Sequence, residues 1–259
     1  MTDTTPGSPE TPPHVLLRNE RLAVAIAVCL TAGAVAVSVL VAAARSAVQP
    51  VDDAVTRFLV DHRDSVLSGI GRVLNLLGSG IVLVPLRVAA ALWLAMRRRW
   101  WLFGALVGAW IGSQVASSVM KGLYDRPRPS VPLLLRGIHT TGSSYPSGHA
   151  VATAATVVSL VLVLAPAAPG RLRWELGAIA VSLVMAASRV YLGAHWLSDV
   201  LGGVLVGGAI ALWTAVIVQL VRDRRAERAR ERPEQVPRPD QGPLEPTGVF
   251  DPPGNEPKV

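Results

Sequence analysis

A single cysteine, Cys29, among 259 residues removes two kinds of chemistry at once. No intramolecular disulfide can form, and no thiolate metal site can be assembled. Cys29 lies inside an apolar run, where a thiol behaves as a small hydrophobe. Charge is also scarce. Only 17% of residues are Asp, Glu, Lys or Arg, against about 25% for a soluble domain, which excludes a surface that faces water everywhere. The 51% of residues that are hydrophobic are gathered into long runs of Ala, Val and Leu, as lipid-facing helices require. What charge remains leans basic, to a formal net +7. Its arginines sit at the ends of apolar runs (Arg97, Arg98, Arg99; Arg222, Arg224, Arg225), where they anchor helices and set topology. A nucleic-acid surface would instead carry a basic stripe on a folded polar face, so no nucleic-acid partner is expected.

The apolar runs predict an all-α integral membrane bundle of six transmembrane helices, with spans at 22–44, 76–96, 102–120, 150–167, 176–190 and 200–221. Between spans one and two, Val51 to Asn75 mixes Asp52, Asp53, Arg57, Asp61, Arg63 and Arg72 with apolar residues at near-helical spacing. That pattern predicts an amphipathic helix lying at the membrane interface. Arg87, beside Pro85 in span two, is costly unless it snorkels or finds a partner. Residues 1–17 and 222–259 are rich in Pro and polar or charged residues and read as disordered tails flanking a membrane domain at 18–221. Arg97 to Arg99, and Arg171 with Arg173, mark cytoplasmic loops. An even number of spans then places both termini in the cytoplasm and the other loops outside. Those outer loops carry Lys121, Arg126, Arg128, Arg136 and Arg189 against the topological trend, which implies another reason for keeping them.

Three segments on that outer side carry candidate chemistry. Lys121 to Pro129 sets two cations, Lys121 and Arg128, at fixed separation among stiffening prolines, which suits a multiply charged anion, although a basic membrane boundary would look the same. Tyr145-Pro146-Ser147-Gly148-His149 enters a span. Ser147 suits an N-cap, Gly148 permits close approach to the backbone, and a helix start favours phosphate. Ser188-Arg189 precedes His195 and Asp199, whose spacing of four would place them on one helical face, with the carboxylate fixing the imidazole tautomer. Of the five histidines, His14, His62 and His139 receive no role.

At these residues the chain resembles the type 2 phosphatidic acid phosphatase superfamily, which shares its site with vanadium haloperoxidases. The family pattern Lys-x6-Arg-Pro, Pro-Ser-Gly-His and Ser-Arg-x5-His-x3-Asp is filled here by Lys121 with Arg128-Pro129, by Pro146 to His149, and by Ser188-Arg189 with His195 and Asp199. The resemblance implies that His195 attacks phosphorus and becomes a phosphohistidine, that Asp199 orients it, and that His149 protonates the leaving lipid oxygen. Lys121, Arg128, Ser147, Gly148 and Arg189 would hold the phosphoryl oxygens. It also implies a multi-pass cell-membrane protein whose partner is a membrane lipid phosphate or pyrophosphate, with its site facing outward. No metal and no cofactor are expected, because a site this rich in cations repels a dication. A lipid-phosphate-binding pseudoenzyme, a transporter built around Arg87, and a haloperoxidase are the competing readings.

Overall fold

The structure, a computed structural model, describes residues 16–17, 19–131, 138–165 and 170–230. Within them every regular element is a helix: α1 (Glu20–Ala43), α2 (Arg45–Asp61), α3 (Ser65–Leu77), α4 (Gly80–Met96), α5 (Trp100–Tyr124), α6 (Gly148–Leu164), α7 (Arg171–Tyr191) and α8 (Leu197–Arg230). The chain divides into two units, Met1–Asp223, and Arg224–Val259, of which residues 224–230 are helical.

Four helices (α1, α5, α7 and α8) are long and apolar enough to cross a membrane, and α3 with α4 make a fifth if the pair, bent by 43°, counts as one span. Their outward faces are apolar: Val35 in α1, Ile111 in α5, Ile179 in α7 and Ile217 in α8 are all exposed, as lipid contact requires. The exposed Cys29 belongs to the same outward surface of α1. α6 is different. It has 17 residues, about 25 Å of helix, and about half of them are buried. It packs on α4, α5 and α7 and forms the centre of the bundle.

α8 closes on α6 because Gly203 and Gly207 face it. A Cβ on Gly207 would collide with the Val151 carbonyl oxygen and lie 3.0 Å from the Ala154 Cβ. This contact has a consequence for the site, since it lets the Asp199 carbonyl at the head of α8 accept from the Ser147 N–H at 3.0 Å.

Several expectations need correction. The stretch at 51–75 is not one interfacial helix but parts of two. α2 starts directly after α1, and the Asp64 side chain caps α3 by accepting from the Leu67 N–H at 2.9 Å. The apolar spacing runs on across both helices: Val55, Phe58 and Leu59 belong to α2, while Val66, Leu67 and Ile70 belong to α3. Gly78 and Ser79 divide the run at 76–96 between the end of α3 and α4, which begins at Gly80. α8, which holds the apolar run at 200–221, continues to Arg230, through residues read as tail. The rest of that tail lies outside the described residues, as do residues 1–15 and Arg136. Leu16 and Leu17, also read as tail, are buried: Arg171 donates to the Leu16 carbonyl at 2.7 Å, and the Leu17 N–H donates to Gln219 Oε1 at 3.0 Å.

Arg87 does not snorkel. At 2% exposure it donates to Thr156 Oγ1 at 2.7 Å and to the Ala152 carbonyl at 2.8 Å, and its guanidinium lies 5.6 Å from the Trp110 ring centre. A buried charge in a bundle is tolerable when donors find acceptors this way, and the result is a staple joining α4, α5 and α6. Because α8 has no room to yield at the backbone of α6, Gly207→Ala is expected to destabilise the protein by about 1–3 kcal/mol. A thermal melt in detergent checks this, and an unchanged Tm would contradict the close α6–α8 contact.

Candidate active site

Four helix ends meet on one side of the bundle. α5 ends where Asp125 takes the left-handed conformation (φ 33°, ψ 47°), which a short polar side chain tolerates, and the chain then turns inward. The backbone beyond it is tied to the segment before α6: the Ser144 N–H donates to the Arg126 carbonyl at 2.7 Å and the Arg126 N–H donates to Ser143 Oγ at 3.1 Å. Arg128 is thereby aimed across the site. Its guanidinium donates to the carbonyls of Gly142 (3.0 Å), Thr141 (3.0 Å), Ser143 (3.2 Å) and Ala194 (2.8 Å), and its Nη1 lies 3.1 Å from His195 Nε2.

At the head of α6, Ser147 occupies the N-cap position, but its hydroxyl makes no cap hydrogen bond. Ser147 Oγ is buried without a hydrogen-bond partner among the described residues. A buried hydroxyl left unpaired costs free energy, so it is available to a ligand oxygen. Gly148 lies under Lys121 from the last turn of α5, and a Cβ there would be 3.4 Å from the ammonium nitrogen. His149 in the first turn of α6 donates from Nε2 to the Asn75 carbonyl at 3.1 Å, a bond in which Nδ1 takes no part. Lys121, Arg189 and His195 are within electrostatic reach of its ring.

Arg189 in the last turn of α7 is buried and donates from Nη1 to Asn75 Oδ1, while its Nε is buried without a partner among the described residues. Asn75 of α3 therefore holds both Arg189 and His149. The turn that follows needs Gly193, whose φ is +67° and whose Cβ would sit 2.6 Å from Val131 Cγ2.

His195 departs from expectation in one respect. It precedes the first residue of α8, so the helical spacing of four does not extend to it, and its Nδ1 lies 3.6 Å from Asp199 Oδ2. The Nδ1–H instead donates to the Ser144 carbonyl at 2.8 Å. Asp199 acts one step back: Oδ2 accepts from Ser144 Oγ and from the Trp196 N–H at 2.9 Å, and Oδ1 accepts from Arg126 at 2.7 Å. A carbonyl partner at Nδ1 fixes the tautomer and leaves the Nε2 lone pair toward Arg128.

Residues 100–223 match the PAP2 superfamily. The chain is 35% identical over 150 residues to the decaprenylphosphoryl-5-phosphoribose phosphatase of Mycobacterium tuberculosis, covering 57% of this chain and 75% of that protein. This chain belongs to the PAP2 superfamily. Other members similar to it include phosphatidylglycerophosphatase B of Bacillus subtilis, 29% identical over 62% of this chain and 80% of that one. A further relative is an undecaprenyl-diphosphatase of Sulfolobus acidocaldarius, 33% identical over 59% of this chain and 71% of that one. The fold is that of the solved transmembrane PAP2-type phosphatidylglycerolphosphate phosphatase of Bacillus subtilis, with a TM-score of 0.65, 25% identity, and coverage of 76% of this chain and 96% of that one.

All eight residues singled out in the sequence of this PAP2 protein thus fall at the same end of the bundle. Sequence reasoning missed Asn75, Ser144, Arg126 and Asp52. Arg126 counted only as a basic loop residue, and Asp52 looked like the polar face of an interfacial helix. Nothing local marks either as buried. His62 is exposed and stacks on Phe58, with ring centres 4.4 Å apart, and His139 is exposed. His14 lies outside the described residues.

Burial holds the His195 imidazole down at about 4, reinforced by Arg128 and Arg189 and opposed by Asp199. His195 is therefore neutral, with its Nε2 lone pair toward Arg128, across the physiological range. Between about 6.5 and about 4 the unfolded chain binds a proton that the folded site refuses, so this group's contribution to stability is complete above about 6.5 and is lost as pH falls toward 4. Histidine NMR titration in detergent is expected to show His195 protonating near pH 4, and protonation near the ordinary value of 6.5 would contradict this environment.

Proposed function

We propose that this PAP2 protein is a metal-independent membrane phosphatase that cleaves a lipid phosphate or pyrophosphate through a phosphohistidine on His195. The observation that carries the reading is the convergence of donors at His195: its Nε2 lies 3.1 Å from Arg128 Nη1, Lys121 lies over Gly148, and Ser147 Oγ and Arg189 Nε are buried without partners among the described residues. Those groups match the charge and oxygen count of a phosphoryl group. In the first step the Nε2 lone pair forms the N–P bond, the P–O bond to the lipid breaks, and the leaving oxygen takes a proton from Nδ1 of His149, whose imidazolium form the phosphate anion beside it stabilises. In the second, water gives a proton to His149 and attacks phosphorus, which releases inorganic phosphate and restores His195. Asp199 orients the nucleophile, through Ser144. Cations already neutralise the phosphoryl oxygens here, so a metal ion is not needed.

The relatives act on phosphatidylglycerophosphate, decaprenylphosphoryl-phosphoribose or undecaprenyl diphosphate, as their names state. The substrate class proposed is accordingly phosphatidate, phosphatidylglycerol phosphate or a polyprenyl phosphate or pyrophosphate. We further propose six spans, counting the bent α3–α4 pair and the short α6, with α2 at the interface. Arg97 to Arg99 and Arg171 with Arg173 lie at the helix ends opposite the site, which supports cytoplasmic termini and an outward-facing site. The transporter reading loses its main observation, because Arg87 is bonded into the bundle rather than lining a path.

Phosphate release by detergent-purified protein in EDTA tests the proposal, with phosphatidate, phosphatidylglycerol phosphate and undecaprenyl pyrophosphate as substrates. Release is expected to persist in EDTA, to vanish in His195→Ala, and to slow by about 10²–10⁴-fold in His149→Ala. Release that requires a divalent metal, or that survives His195→Ala, would overturn the mechanism.

A further inference from the structure

Arg126, Asp52 and Asp199 form a buried ionic cluster. Arg126 is 2% exposed, Asp52 1% and Asp199 0%. The single guanidinium bridges both carboxylates: Nη1 donates to Asp199 Oδ1 at 2.7 Å and Nη2 to Asp52 Oδ2 at 2.7 Å. Nη1 also donates to Ser198 Oγ at 2.7 Å and Nη2 to Gln49 Oε1 at 3.1 Å. Asp52 is closed off by Ser198, whose N–H and hydroxyl donate to its two oxygens at 2.9 and 2.6 Å. The Trp196 ring centre lies 5.7 Å from the guanidinium carbon. Asp52 and Gln49 come from α2, Arg126 from the loop after α5, and Ser198 and Asp199 from the head of α8.

We infer that Arg126 is a positioning residue for the reaction, anchored by Asp52 of α2, and that it acts through Asp199 and Ser144 on the tautomer and aim of His195. The inference rests on the phosphatase reading above. Asp199 Oδ2 lies 3.6 Å from His195 Nδ1, beyond hydrogen-bond distance, so besides its direct charge it orients the imidazole by holding Ser144, whose carbonyl takes the Nδ1 proton. A fully buried carboxylate keeps that geometry while it stays ionised, with both oxygens accepting, and a buried charge persists only when it is paired. Arg126 supplies the pairing. A carboxylate that lost it would take up a proton or turn to another donor, and would no longer hold the Ser144 hydroxyl and the Trp196 N–H on one oxygen. Two carboxylates with a planar fork between them call for Arg, since a Lys ammonium is a point charge that cannot reproduce both contacts. Asp52 completes the fork, so the seating of α2 enters the geometry of the nucleophile.

The test uses full-length Arg126→Lys, Asp52→Asn, their combination and Ser198→Ala, measured for kcat, KM, Tm and the 15N NMR signals of the histidine rings. In the wild-type protein His195 is expected as the Nδ1–H tautomer. Each of Arg126→Lys and Asp52→Asn is expected to lower kcat by about 10–100-fold with KM within about 3-fold, and to convert the His195 signals to a tautomer mixture. The combination should be no slower than the slower single variant, because both act on one network. If the ionic variants do not fold, Ser198→Ala, which removes one hydroxyl, should still lower kcat by about 3- to 10-fold and shift the tautomer in the same direction. A rise in KM at constant kcat would make Arg126 a substrate ligand and overturn the inference. So would a lowered Tm with kcat and tautomer unchanged, which is the signature of a purely structural staple. Loss of the tautomer in variants of a protein that hydrolyses no lipid would sustain the positioning role while defeating the phosphatase reading.

Discussion

The guanidinium of Arg128 pinned by four backbone carbonyls is the interaction on which the site depends. Lys121, Arg128 and Arg189 repel one another, and Asp199 offsets only part of the charge on Lys121. Their assembly needs acceptors that absorb N–H donors without cancelling the charge. Carbonyls do this: those of Thr141, Gly142, Ser143 and Ala194 fix Arg128, and the side-chain carbonyl of Asn75 fixes Arg189. The positive potential is therefore built before any anion arrives, as preorganised electrostatic catalysis requires. The same four carbonyls, through Arg128, tie the segment before α6 to the turn before α8, so His195 and Arg128 are held by one set of contacts.

The bundle exists to bring those segments together. α6 is central and mostly buried, and its N-terminus points into the site. Gly203 and Gly207 let α8 lie directly on it, which aligns Asp199 with Ser147. Arg87 stitches α6 to α4 and α5 from within the apolar interior. A helix only 17 residues long can occupy this place because its neighbours, rather than lipid, cover most of it.

Much of this was legible in the sequence, for physical reasons. Lipid-facing helices must be apolar over about 20 residues, so α1, α5, α7 and α8 announce themselves, and the motif residues mark the end at which the site forms. The break between α2 and α3 was hidden because apolar spacing resumes on its far side after Asp64 caps the new helix. The partnership of His195 with the Ser144 carbonyl was hidden too, because spacing assumes a helix that has not yet begun at His195. Asp52 and Arg126 lie 74 residues apart. Each looks like an ordinary solvated charge, and only the tertiary fold buries them against each other.

In the proposed reaction His195 carries the phosphoryl group between the two steps. Rapid quenching of the wild-type protein during turnover of a lipid radiolabelled in its phosphate tests this directly. The account predicts label bound covalently to the chain, lost in acid and retained in alkali as a phosphoramidate should be, mapping to His195 and absent from His195→Ala. Turnover that proceeds at full rate with no chain-bound label, or with label on any other residue, would contradict it.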